Sequence, residues 1–171
     1  IMAGEEAHAI DDLWYGWYQP ANSIGKVQQW HGNAGAVVRS WAFYRRFGNG
    51  LRTMSQHAVL NSNYLRHAIF REAKKAGVDD MFCDGAPTTV AKHEFTLSLL
   101  PAKEKYGITA MDVAKGLLDK GYMAPTVYFP LVVPECMMME PTETESKEVL
   151  DTFANHFVEV LQVDAETLHA A

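Results

Sequence analysis

The chain has 171 residues, 48% of them hydrophobic and 21% charged, enough for one core or for one domain with an appendage, and it fits a soluble globular protein. Its net charge of −6 argues against a nucleic-acid footprint, which needs clustered Lys and Arg. No apolar run approaches the ~20 residues of a membrane span, and Ile1 to Asp12 carry no signal-peptide pattern. Cys83 and Cys136 are the only cysteines, and there is no Cys-x-x-Cys, so neither a zinc site nor a thioredoxin-like motif is expected. Both read as free thiols in a reducing cytosol, with a regulatory disulfide or a reactive thiol as the alternative.

Residues 1–31 form an irregular, aromatic-rich segment containing Trp14, Tyr15, Trp17, Tyr18 and Trp30, broken by Pro20 and Gly25. Such a segment needs a surface to pack on; without one it predicts a homo-oligomer or a sticky patch. A helix follows Gly32-Asn33, with Asn33 as N-cap and Ala34, Val37, Val38, Trp41 and Ala42 on one apolar face. It carries Arg39, Arg45 and Arg46, either a solvated helix face or an anion site. Gly48-Asn49-Gly50 ends it. A long helix from Leu51 to Lys75 has an inner stripe of Met54, Ala58, Leu65 and Ile69 and stops at Gly77. Val78 to Ala91 reads as a loop or hairpin end.

His93 to Leu99 alternates, with Phe95, Leu97 and Leu99 on one side and Glu94, Thr96 and Ser98 on the other, the pattern of a half-buried strand. Thr109 and Asp112 form a capping-box-like start to a third helix, which Gly121 stops. Strands are expected over Thr126 to Phe129 and Glu135 to Met139, with Pro130 and Pro134 confining that region to an edge, bulge or turn. A last helix is expected from near Thr142, with Glu145 at its capping-box position and Val149, Leu150, Phe153, Phe157, Val160 and Leu161 inward. Residues 165–171 are expected to fray. The order predicts an α+β fold over residues 32–164: a small, mostly antiparallel sheet with helices mainly on one face.

The run Pro125-Thr-Val-Tyr-Phe-Pro-Leu-Val-Val-Pro-Glu135, continued by Met139-Glu-Pro-Thr-Glu-Thr-Glu-Ser-Lys147, resembles the end of the glycine decarboxylase P-protein family of the glycine cleavage system. Ser23 to Val27, Gly32-Asn33 with Val38-Arg39, Ala58 to Leu65, His93 to Ser98 and Asp112 to Gly121 resemble the same family in the same order, whereas Met81 to Val90 does not. The resemblance implies an enzyme that uses pyridoxal phosphate (PLP) to decarboxylate glycine and passes the aminomethyl group to the lipoyl arm of the H-protein. This stretch would be the small C-terminal domain of a fold-type-I PLP enzyme, cytoplasmic, or in the mitochondrial matrix of a eukaryote. Its partners would be the PLP-binding domain and the lipoyl H-protein.

In that family the PLP lysine lies upstream, in a His-Lys stretch before a Gly-rich loop. No such loop occurs here, and neither Lys26, Lys92 nor Lys115 is assigned as a Schiff-base residue. No catalytic, cofactor-binding or metal-ligating residue is assigned. The chain alone is expected to bind no cofactor and to be inactive, with PLP held in the intact enzyme. The rival reading is a stand-alone, non-catalytic binding or oligomerisation module derived from that enzyme. Five residues are candidates for a substrate channel or an interdomain contact. His93 and Glu94 open a strand; the alternative for them is a locally bonded strand end. Glu140 precedes Pro141 and is less readily explained as a helix-capping carboxylate than Glu143 or Glu145. Arg39 suits bidentate anion pairing, with a structural salt bridge as alternative. Asn33 lies six residues before it, at the start of the same helix. Asn61 and Asn63 read as interhelix or interdomain hydrogen bonders.

Overall fold

A computed structural model describes residues 8–10, 13–15, 18–25, 32–86 and 90–170. The chain divides into two compact units, Ile1–Phe47 and Gly48–Ala171. The first helix, grouped by sequence with the C-terminal domain, falls in the first unit.

In the first unit, β1 (His8–Ile10) pairs antiparallel with β2 (Leu13–Tyr15). Helix α1 (Ala34–Phe47) is capped as expected: Asn33 Oδ1 accepts the Ala36 N–H at 3.1 Å. Its expected apolar face is not buried. Val37, Val38 and Trp41 are exposed, and α1 buries none of its residues. Helical spacing predicts which residues share a face, and among the described residues no surface covers that face.

The second unit opens with a 3-10 turn, Gly48–Gly50, and the long helix α2 (Leu51–Ala76). Gly77, at φ +72°, ends α2 in the left-handed conformation that glycine adopts without a Cβ penalty. Burial along α2 begins only at Ser62. Leu65 and Ile69 are core residues, while Met54 and Ala58 are half-buried.

Four strands follow: β3 (Cys83–Asp84), β4 (Phe95–Ser98), β5 (Thr126–Val127) and β6 (Cys136–Met139), in spatial order β3-β4-β6-β5 and all antiparallel. The register sets Phe95 opposite Met139 and Leu97 opposite Met137. Cross-strand partners share a face, so these four make the buried side of the sheet, and Thr96, Met138 and Thr126 lie on the other. Helices α4 (Ala110–Asp119) and α5 (Lys147–Leu161) join α2 over the buried face, through Val113, Leu117, Leu150, Phe157 and Val160. This is the expected α+β architecture.

Three local expectations need correction. A helix, α3 (Leu100–Tyr106), lies where none was expected, because Pro101 sits in its first turn, where a missing N–H costs nothing. The last long helix starts at Lys147, with Ser146 rather than Thr142 as N-cap. Residues 165–170 do not fray: α6 (Ala165–Ala170) is capped by Asp164, whose Oδ1 accepts the Thr167 N–H at 2.9 Å, and buries Leu168.

Candidate functional site

The β4–β6 ladder ends at Phe95 and Met139. One step beyond it on each strand stand Glu94 and Glu140, and His93 is next on the β4 side. His93 Nε2 lies 3.7 Å from Glu140 Oε1 and 4.0 Å from Glu94 Oε2. The strand-opening pair His93 and Glu94 thus meets Glu140, a candidate chosen on a separate sequence argument, at one end of the sheet. Pro141 follows Glu140 and is buried; a residue before proline is held extended, so Glu140 stays in line with β6. The His93 side chain is 52% exposed and that of Glu140 57%, so the cluster is open to solvent and its ion pairs contribute little stability.

Two asparagines of α2 hold the chain on either side of this cluster. Asn63 Nδ2 donates to the Ala91 carbonyl at 2.8 Å, and Asn63 Oδ1 accepts the Ala91 N–H at 2.9 Å. Asn61 Nδ2 donates to the carbonyls of Thr142 at 2.8 Å and Glu145 at 3.0 Å. Helix, β4 entry and β6 exit are therefore joined around His93 and Glu140. The role of Asn61 in the turn after Glu140 was not legible in sequence, since it depends on a contact 81 residues away.

The carboxylates after Pro141 divide in function. Thr142 Oγ1 and Thr144 Oγ1 bond each other at 2.6 Å. Ser146 Oγ accepts the Val149 N–H, and Glu148 occupies the first turn of α5, where its own backbone and the Ser146 side chain lower its pKa. Further along α5, Asp151 takes the Tyr64 hydroxyl at 2.5 Å and Lys147 Nζ at 2.6 Å. The Lys147 hydrogen bond is the first cause of the lowered Asp151 pKa, with Tyr64 next.

Asn33 and Arg39 belong to the first unit. Asn33 spends its side-chain oxygen on capping α1, and Arg39 is exposed on that helix. Cys136 is buried, donates to the Phe129 carbonyl at 3.0 Å and has its pKa raised by burial, whereas Cys83 is exposed. Among the described residues no cluster of three His, Cys, Asp or Glu is placed to hold a metal, and no helix is long and apolar enough to cross a membrane.

A PLP site needs a lysine that can become a neutral amine, an acid for the ring nitrogen and a cradle for the phosphate. Lys103, Lys105 and Lys147 each donate to a carboxylate, Glu135, Asp80 and Asp151 respectively, and each has its pKa raised by that bond, the opposite of what a Schiff-base lysine requires. An open cleft lined by Val78, Met81, Tyr106, Ile108, Leu161 and Val163 has no lysine in its wall and none of the candidate site residues. Lys103, Lys105, Lys147 and the wall of this cleft do not fit the cofactor.

Residues 54–170 match the family model described as glycine dehydrogenase, C-terminal domain. The chain is 47% identical to a probable glycine dehydrogenase (decarboxylating) subunit 2 of Nitrosospira multiformis, over 82% of this chain and 27% of that protein. The proteins so described in Methylococcus capsulatus and Coxiella burnetii are 45% and 40% identical, over 84% and 94% of this chain and 28% and 30% of theirs. The chain therefore spans under a third of the length of these relatives. On the family match and these identities, the chain belongs to the glycine dehydrogenase C-terminal domain family.

Proposed function

We propose that this chain supports PLP-dependent glycine decarboxylation, and aminomethyl transfer to the lipoyl group of the H-protein, as the C-terminal domain of a P-protein. The family match over residues 54–170 carries this reading. The His93, Glu94 and Glu140 cluster supports its placement: a solvent-open imidazole with two carboxylates within 4.0 Å suits the mouth of a channel into which a cofactor-bearing partner feeds. Each of the three can accept or donate a proton, and the carboxylates can orient the ring. Arg39, exposed on α1, is the anion-binding candidate, and Asn33 shapes the start of the same helix.

Alone, the chain is inactive in this reading, because its lysines bonded to carboxylates are held protonated and the PLP-bearing part lies in another domain or subunit. The test is glycine–bicarbonate exchange with lipoylated H-protein and PLP. Expected is no exchange with the chain alone, and exchange once the PLP-bearing remainder of the enzyme is supplied in trans. Exchange by the chain alone would overturn the reading.

A second reading has one observation in its favour. Val37, Val38, Trp41 and Tyr44 of α1 are each more than 60% exposed, a face suited to self-association or to a partner. A stand-alone binding module would use it in the same way. Light scattering that reports a monomer at every concentration removes the homo-oligomer from this account.

A further inference from the structure

We propose that Asn61 and Asn63 are positioning residues: a two-armed clamp on α2 that sets the His93–Glu140 separation. The inference rests on taking His93 and Glu140 as the working pair, but not on the reaction that the pair serves.

Main-chain pairing between β4 and β6 stops at Phe95 and Met139, so it does not fix the next residues. Beyond that point no ladder bond joins the two chains, and a splayed β4 end would carry His93 away from Glu140. The clamp acts there. Asn63 mimics a strand partner for Ala91, two residues before His93, by giving and taking one hydrogen bond. Asn61 holds the other chain, two residues after Glu140, through the Thr142 carbonyl, and reaches Glu145 with its second hydrogen. Both Asn63 hydrogens are also used, since Nδ2 donates to the Val59 carbonyl at 2.8 Å as well. Neither side chain belongs to the apolar core; both are half-buried at its border. Two residues apart on a helix, they diverge by roughly 200°, so one helix can reach two different segments. Asparagine suits the task because its amide presents two donors and an acceptor on a short, stiff arm.

The test reads the pair directly. The ring resonances of His93 are followed by NMR at pH 7 in the full chain, and the shift caused by Glu140→Gln is measured in three backgrounds: unaltered, Asn61→Ala and Asn63→Ala. The clamp predicts that the Glu140→Gln response falls by about half or more in each asparagine variant, as expected for energetically coupled neighbours, while Leu117 and Val160 methyl signals stay in place. Amide exchange at Ala91 rises about tenfold in Asn63→Ala only. Should Asn63→Ala fail to fold, Asn61→Ala carries the test, because Asn61 serves only two carbonyls at the surface. An unchanged Glu140→Gln response in a folded asparagine variant overturns the proposal, as does the lack of any response in the unaltered background. Movement of the core methyls together with His93 overturns it too, since the asparagines would then act on the fold as a whole. None of these readouts uses PLP or glycine, so failure here is distinct from failure of the P-protein reading.

Discussion

Glu135 Oε2 accepts the backbone N–H of Ala110 at 3.0 Å, so a residue at the start of β6 caps the first turn of α4. Its other oxygen takes Lys103 Nζ at 2.5 Å, and its main-chain carbonyl takes the Leu99 N–H at 2.9 Å. Glu135 does this from φ +47°, a left-handed conformation that costs a non-glycine residue about 1 kcal/mol. Glu135→Ala should lower stability by about 1–3 kcal/mol, because the buried Ala110 N–H loses its partner. Glu135→Gly loses the same partner but relieves the strain, so it should be less destabilising than Glu135→Ala. Urea unfolding of both variants checks the order.

Gly116 allows α4 and α5 to approach. A Cβ built there would lie 2.6 Å from Val160 Cγ1 and 3.3 Å from Leu168 Cδ2. Val160 is β-branched and has little rotamer freedom to move aside. Gly116→Ala should therefore destabilise by about 1–3 kcal/mol even though alanine is the better helix former by about 1 kcal/mol. Adding Val160→Ala should recover part of the loss, visible as a coupling energy in a double-mutant cycle.

How much of this was legible in sequence depended on range. Thr109 and Asp112 are three residues apart, and their capping box could be read directly. Thr142 and Glu145 show the same spacing but no helix starts there. Asn61 takes the two carbonyls that a helix begun at Thr142 would have used within its first turns, and Ser146 caps instead. The tertiary contact overrides the local pattern. His93 and Glu140 each stand out in sequence, but their meeting depends on the β4–β6 register, which alternation within one strand does not encode.

Asp112 gives the fold a dependence on acid. Burial alone would raise its pKa and is the largest single influence, but the Thr109 hydroxyl and amide, with the charges of His169 and Lys115, together outweigh it, and the net shift is downward from 3.8. A folded-state pKa below the unfolded value stabilises the fold above about pH 4, and that stability is lost as the pH falls through the folded value. Asp112→Asn should cost about 1 kcal/mol at pH 7 and flatten the stability curve below pH 4. Thermal unfolding at a series of pH values measures both.

The C-terminal turn adds to stability. Leu168 is buried, and it approaches α4 at Gly116. Leu168→Ala should cost about 2–3 kcal/mol. Removal of residues 165–171 should cost at least as much as that substitution, whereas a frayed tail could be removed without effect. Chemical denaturation of the shortened chain distinguishes the two.

We propose that this chain is a domain of a PLP enzyme whose cofactor is held elsewhere. Titrating the purified chain with PLP, reducing with borohydride and mapping the peptides by mass tests it most directly. Expected is no lysine trapped in stoichiometric amount. One lysine trapped at one equivalent per chain would contradict it and would mark a cofactor site within these residues.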